Sequence, residues 1–429
     1  MAEENKKKFG FWSIVLLGLN GVIGSGIFLL PGKAMAMVGP GSIFVYLFMT
    51  LVVMAIALCF AECAGKFSRN GAAYVYAREA FGEFVGFEVG IMRWAISIIA
   101  WAAMAVGFVT ALSAVWPPAL QEPYKTAIIL TILVGLGILN ILGVQMAKIL
   151  NNLVTVGKLI PLLLFIGIGA FYIKGANFEP MFPKGFEMDS FGAAALLIFY
   201  AFTGFEALAV AAEDMDNPKK NLPIALMMVM GICSVVYFMV QAVAVGTLGT
   251  DLAKSVAPVA DSASAFFGPA GKWLVTIGTL ISIGGINVAS SFISPRSGVA
   301  LAEDGMVPRK IAEHSRFGTP YLAIIITVLL AIPVALSGSF VKLAAISVVS
   351  RFAQYLPTCL AVIVLRRKRR DLQGSFQVPF GPVIPLAAAA ISSWLLTKAS
   401  PEQLYWGLGA LVLGMPLYLL QRYNKKSVL

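Results

Sequence analysis

The first apolar run of this chain is interrupted in its middle by Gly21-Val22-Ile23-Gly24-Ser25-Gly26-Ile27-Phe28, and no other feature limits the possible folds as much. A backbone unwound at mid-membrane depth leaves amide and carbonyl groups without helical partners, and hydrocarbon cannot satisfy them. Such groups have to face something polar. A second long apolar run is broken in the same way at Thr203-Gly204, which implies a polar site between two discontinuous helices.

That argument needs a membrane, and composition supplies it. The 429 residues are 59% hydrophobic and 12% charged, with a mean hydropathy of +0.86, whereas soluble domains run at about 45–50% apolar and about 25% charged. The fold class expected is an all-α membrane protein with about twelve spans of roughly 20 residues. The first of them, Trp12 to Val38, follows Lys6-Lys7-Lys8 but is too long for a signal-peptide core and is expected to be retained. Cys59, Cys63, Cys233 and Cys359 all lie in apolar stretches, so neither a disulfide framework nor a metal site is implied.

A net charge of +11 raises the question of an acidic partner, and the distribution of charge answers it. About 20 of the 32 Lys and Arg residues fall in the termini and in every second connection, and about six in the opposite loops. An even span count and this asymmetry put both termini in the cytoplasm. The run Arg366-Arg367-Lys368-Arg369-Arg370 therefore reads as a juxtamembrane stretch that meets anionic lipid, not nucleic acid.

The two broken spans are the first and the sixth. Five spans is an odd offset, so a second five-helix unit is inserted upside down relative to the first. The organisation expected is a cytoplasmic N-terminus at 1–11, a first five-helix repeat at 12–173, a second, inverted one at 191–365, two accessory helices at 381–422 and a cytoplasmic C-terminus at 423–429. The longest connections expected are Lys174 to Ser190 and Gly249 to Lys272 outside, and Ala302 to Pro320 inside.

Gly21 to Phe28 resembles the Gly-x-Ile-Gly-Ser-Gly-Ile-Phe signature of the amino acid-polyamine-organocation (APC) superfamily. Three further segments resemble that family in the same order: Phe67 to Tyr76, Phe202 to Glu206 running on to Glu213 to Pro223, and Ala300 to Pro308. The resemblance covers most of the chain. It implies a LeuT-like 5+5 inverted repeat and secondary active transport of L-amino acids across the cell inner membrane by alternating access. Among sodium-independent relatives it points to neutral amino acids, moved by exchange or with protons; cationic amino acids or polyamines are the alternative, and a transporter-like nutrient sensor is the alternative of another class.

The chemistry of the breaks follows from the residues themselves. Around Ile23, Gly24, Ser25, Gly26 and Ile27 a half-helix begins, and its free N–H groups and positive dipole end suit a carboxylate. Carbonyls ending the first halves of the two broken spans suit an ammonium. Ala201, Thr203 and Gly204 belong to the second break, and the two together form a clamp for a zwitterion. Close helix packing through small residues is the other reading of the glycines.

Four side chains stand out beside the breaks. By the resemblance, Tyr200 closes over substrate from the outer side, although an aromatic there also fills core space. Lys158 sits deep in the fifth span, where an ammonium costs about 2.5–3.5 kcal/mol on the most lenient scale. In sodium-independent relatives a lysine like it stands where sodium binds elsewhere and contacts the unwound first span, with Gly21 and Tyr237 as companions here. Burial disfavours a charged lysine, so Lys158 is also a candidate proton carrier; snorkelling to an interface is the other reading. Glu206 has three readings: pairing with a cationic substrate, taking a proton, or bracing the half-helices. Arg351, central in the tenth span, is expected to gate or to form an ion pair more than to bind substrate. Arg93, Arg296 and Glu62 lie nearer cytoplasmic helix ends and read as interfacial or packing charges.

No phosphate loop, nucleophile elbow or metal-spaced ligand set is present, and His314, the sole histidine, lies in a loop. An enzyme is therefore not expected, nor is any cofactor. The partners expected are a small amino acid, protons and membrane lipids, with oligomeric state open.

Overall fold

The computed structural model describes the backbone of residues 10–67, 73–143, 148–210, 215–372 and 376–426. Ser68 to Ala72 of the motif after the second span, Glu213 and Asp214 of the motif after the sixth, and both chain ends lie outside the described residues.

An apolar run in hydrocarbon must satisfy its own backbone, and a helix does so within one segment. The first part of the chain forms α1 (Phe11–Val22), α2 (Ser25–Leu29), α3 (Pro31–Val38), α4 (Ser42–Lys66), α5 (Ala73–Phe81), α6 (Glu83–Leu112), α7 (Tyr124–Ile141) and α8 (Lys148–Gly169). The second part forms α9 (Met188–Phe199), α10 (Glu206–Val210), α11 (Pro218–Leu248), α12 (Pro258–Glu303), α13 (Tyr321–Leu336), α14 (Phe340–Lys368), α15 (Val383–Leu396) and α16 (Pro401–Lys426). Among the described residues seven stretches are long and apolar enough to cross a membrane: Pro31–Lys66, Glu83–Leu112, Tyr124–Ile141, Met188–Leu208, Pro218–Lys254, Pro258–Glu303 and Phe340–Lys368. Four shorter apolar helices, Phe11–Val22, Gly157–Tyr172, Tyr321–Leu336 and Val383–Leu396, accompany them. The difference from twelve has a plain cause, since several expected spans are split or short: α1 has 12 residues, α13 16 and α15 14.

Both expected breaks are present, and the first is narrower than expected. Helix resumes at Ser25, so only Ile23 and Gly24 are unwound, where an interruption as long as Gly21 to Phe28 was expected. The expected outer connection Gly249 to Lys272 is also largely helical. A 3-10 turn over Gly249–Lys254 leads into α12, whose first residues pack with Pro258 at the start and bend at Gly268, φ 64°. An ion pair from Lys272 to Asp261 at 2.9 Å ties the bent piece together.

Helix α11 packs on α4, α12 on α6 and α8, and α14 on α4 and α6. The broken segments run through the middle of this frame, α1 against α11, α10 and α8, and α2 against α12 and α6. At one end a buried carboxylate locks the frame. Glu62 is fully buried and accepts Nε and Nη2 of Arg366 at 2.8 and 2.5 Å and the Val378 N–H at 2.7 Å. The basic run is thus partly internal glue: Lys368 donates to Ala80 O at 3.3 Å, and Arg369 pairs with Glu79 and Asp371.

Candidate functional site

The end of α1 has to dispose of its last carbonyls, because no further helical N–H follows them. Side chains from three other helices accept that task. Lys158 Nζ, fully buried on α8, donates to Asn20 O and to Ile23 O, both at 2.8 Å. Tyr237 Oη on α11 donates to Val22 O at 3.0 Å, and Ser282 Oγ on α12 to Ile23 O at 3.3 Å. A cation at a helix C-terminus also meets the negative end of the helix dipole. Lys158 therefore contacts the unwound first span as expected, through Asn20 and Ile23, whereas Tyr237 binds the neighbouring carbonyl and not the ammonium.

Gly21 O faces the other break. Gly204 has φ +109°, a torsion that side-chain-bearing residues rarely adopt, and a Cβ built on it would lie 2.4 Å from Gly21 O. The two breaks are in direct apposition. Gly26 packs as closely, since its added Cβ would lie 2.6 Å from Ala201 Cα. Packing thus accounts for at least part of the glycine pattern, including Gly26, alongside the ligand access expected for it.

After α9 the chain makes a 3-10 turn over Tyr200–Phe202 and an extended Thr203. Thr203 Oγ1 donates to Tyr200 O at 2.8 Å, closing that turn. Glu206 opens α10 and brings one oxygen back to the Gly204 N–H at 2.9 Å. Its other partners come from one face of α14: Arg351 Nη1 at 2.7 Å, Tyr355 Oη at 3.0 Å and Gln354 Nε2 at 3.5 Å. Of the readings left open for Glu206 and Arg351, this geometry is a brace and an ion pair.

A cavity of about 370 Å³ adjoins both breaks. Of the sequence-expected residues it is lined by Gly21, Gly24, Ser25, Gly26, Tyr200, Ala201, Thr203, Gly204, Glu206 and Arg351. Ile23 and Ile27, fully buried, are not in its wall, and Lys158 and Tyr237 stand behind α1. The wall continues along Leu17 to Asn20 of α1, Arg93 to Met104 of α6 and Ile286 to Ser297 of α12. Arg93, read from sequence as an interfacial or packing charge, lies in the cavity wall. At the other end the ring of Tyr200 meets Phe340 edge-on at 5.6 Å, and its hydroxyl lies 3.3 Å from Ser25 Oγ. Gln354 and Tyr355 were missed by the sequence reading; their signal is the spacing of three and four residues from Arg351, one face of a helix.

The amino acid permease family model matches residues 9–401, which is most of the chain. The chain belongs to the amino acid permease family. Relatives of this permease extend along nearly its whole length. An uncharacterized transporter of Mycobacterium tuberculosis is 32% identical, covering 90% of this chain and 86% of the relative. The branched-chain amino acid permease BcaP of Bacillus subtilis is 29% identical over 98% of this chain and 94% of its own. The serine/threonine exchanger SteT of the same organism is 29% identical over 99% of both. The permease is thus an integral membrane transporter and not an enzyme, and its family carries small amino acid substrates.

Proposed function

We propose that this permease moves neutral L-amino acids across the cytoplasmic membrane by alternating access, without sodium, by exchange or with protons. The observation that carries the reading is the apposition of two helix breaks at Gly21 and Gly204 in the wall of one cavity. N–H groups opening α2, which no side chain caps, take the substrate carboxylate, and Gly21 O with the carbonyls of the second break takes the ammonium. Lys158 holds the end of α1 where a sodium ion would otherwise be needed.

A LeuT-like pair of inverted five-helix repeats fits breaks placed five spans apart. With both termini cytoplasmic, the cavity runs from the breaks toward the cytoplasmic ends of α1, α6 and α12, an inward-facing arrangement closed outside by Tyr200 and Phe340. Neutral substrates are supported by the names of the two Bacillus subtilis relatives, a branched-chain amino acid permease and a serine/threonine exchanger, and by the pairing of Glu206 with Arg351. A competition panel in proteoliposomes, run with and without internal amino acid and with and without a pH gradient, tests substrate and coupling together. Saturable uptake of a neutral L-amino acid is expected; absence of uptake under all four conditions contradicts the reading.

A further inference from the structure

Glu206 and Arg351 share the cavity wall, and their bonding is unequal. The carboxylate is saturated, with Arg351 and Gln354 on Oε1 and Tyr355 and the Gly204 N–H on Oε2. The guanidinium, 8% exposed, gives only Nη1 to this network. Its Nε is buried without a partner, and among the described residues Nη2 donates to nothing either. Arg93 stands in the same wall and has interactions of its own, whereas Lys158 lies outside the lining.

We infer that the Glu206–Arg351 pair sets the charge selectivity of the cavity, each group cancelling the other so that only substrates with uncharged side chains are accepted. The inference rests on the amino acid transport reading above and adds which side chains pass. A cationic side chain finds Glu206 already fully bonded and a guanidinium beside it, which opposes entry. An acidic side chain is drawn by the charge of Arg351 but has Glu206 against it at the same point. Discrimination of this kind comes from repulsion as much as from attraction.

The pair therefore acts as a specificity element whose sign can be changed from either side. The experiment is uptake of one labelled neutral L-amino acid into liposomes holding the full-length protein, with unlabelled neutral, acidic and cationic amino acids as competitors. For the unmodified protein only neutral competitors are expected to inhibit. In Glu206→Gln the guanidinium is unpaired, and glutamate is expected to gain about tenfold in competing strength relative to the neutral amino acid, the weight of one charged hydrogen bond. In Arg351→Gln the carboxylate loses its ion-pair partner and keeps its bonds from Gln354, Tyr355 and the Gly204 N–H, and lysine is expected to gain by a similar factor. The double variant, E206Q with R351Q, should show neither gain, because both positions of the pair are then uncharged and the remaining wall charge, Arg93, is the same as in the parent. If Arg351→Gln does not fold, Glu206→Gln and the double variant still decide. Neutral uptake by the parent with an unchanged order of competitors in the folded variants overturns the inference alone; no amino acid uptake by the parent overturns the transport reading and the inference with it.

Discussion

At the scale of single residues the account depends on places where no side chain fits. Gly204→Ala would put a Cβ 2.4 Å from Gly21 O at φ +109°, and a strained torsion of this kind costs about 1–3 kcal/mol even before the clash. The variant is expected to melt lower in detergent and to lose uptake; an unchanged melting temperature would contradict the apposition of the breaks. Gly26→Ala should behave similarly, because it meets the Ala201 backbone rather than empty cavity. Tyr200→Phe keeps the edge-on contact with Phe340 and drops the hydroxyl near Ser25. It is expected to retain most of the apparent affinity that Tyr200→Ala loses, and equal losses in the two would assign the effect to the hydroxyl instead. The glycines were legible in sequence because their clustering in an apolar run marks a break or a close approach, and here Gly204 and Gly26 show the close approach. Ala201 was placed by its position in the motif only, since an alanine among apolar residues carries no signal of close backbone contact.

At the scale of elements the central object is the end of α1, held by Lys158, Tyr237 and Ser282 from three helices. Lys158→Met removes the two bonds to Asn20 O and Ile23 O and the only ammonium at the end of α1 among the described residues, and a buried carbonyl that loses a donor costs up to about 1–3 kcal/mol. A folded variant with strongly impaired uptake at every pH is expected, checked by initial rates between acid and alkaline external buffers. Loss confined to acid-stimulated uptake would make Lys158 the proton carrier instead of a strut. Sequence singled out Lys158 because an ammonium deep in an apolar helix demands a partner. It did not give the partner atoms, Asn20 O and Ile23 O, because main-chain acceptors leave no trace in residue identity. The place of Arg93 in the cavity wall was not legible for a related reason: distance from a helix end cannot tell a charge facing lipid headgroups from one facing a cavity.

Across the whole molecule, α4 and α14 are fastened by Glu62, Arg366 and the Val378 N–H at the end remote from Tyr200 and Phe340. Breaking a fully buried pair costs about 3–5 kcal/mol; Arg366 is a quarter exposed and Lys66 stands 3.9 Å from the same carboxylate, so Arg366→Met is expected to cost less than that and still to lower the melting temperature more than Arg370→Met, measured side by side in detergent. The basic run was read in sequence as a topology signal only; its pairing with Glu62, more than 300 positions away, leaves no mark in the sequence. The helical class and both breaks were readable because hydropathy and glycine act locally; the extent of the breaks and the helix across 258–267 depended on tertiary packing. The most direct test of the whole is competition for sodium-free uptake of a neutral L-amino acid by the same compound with its carboxylate esterified or its ammonium replaced by hydroxyl. Inhibition by the unmodified zwitterion alone is the predicted result, and either full competition by both analogues or a strict requirement for sodium would contradict it.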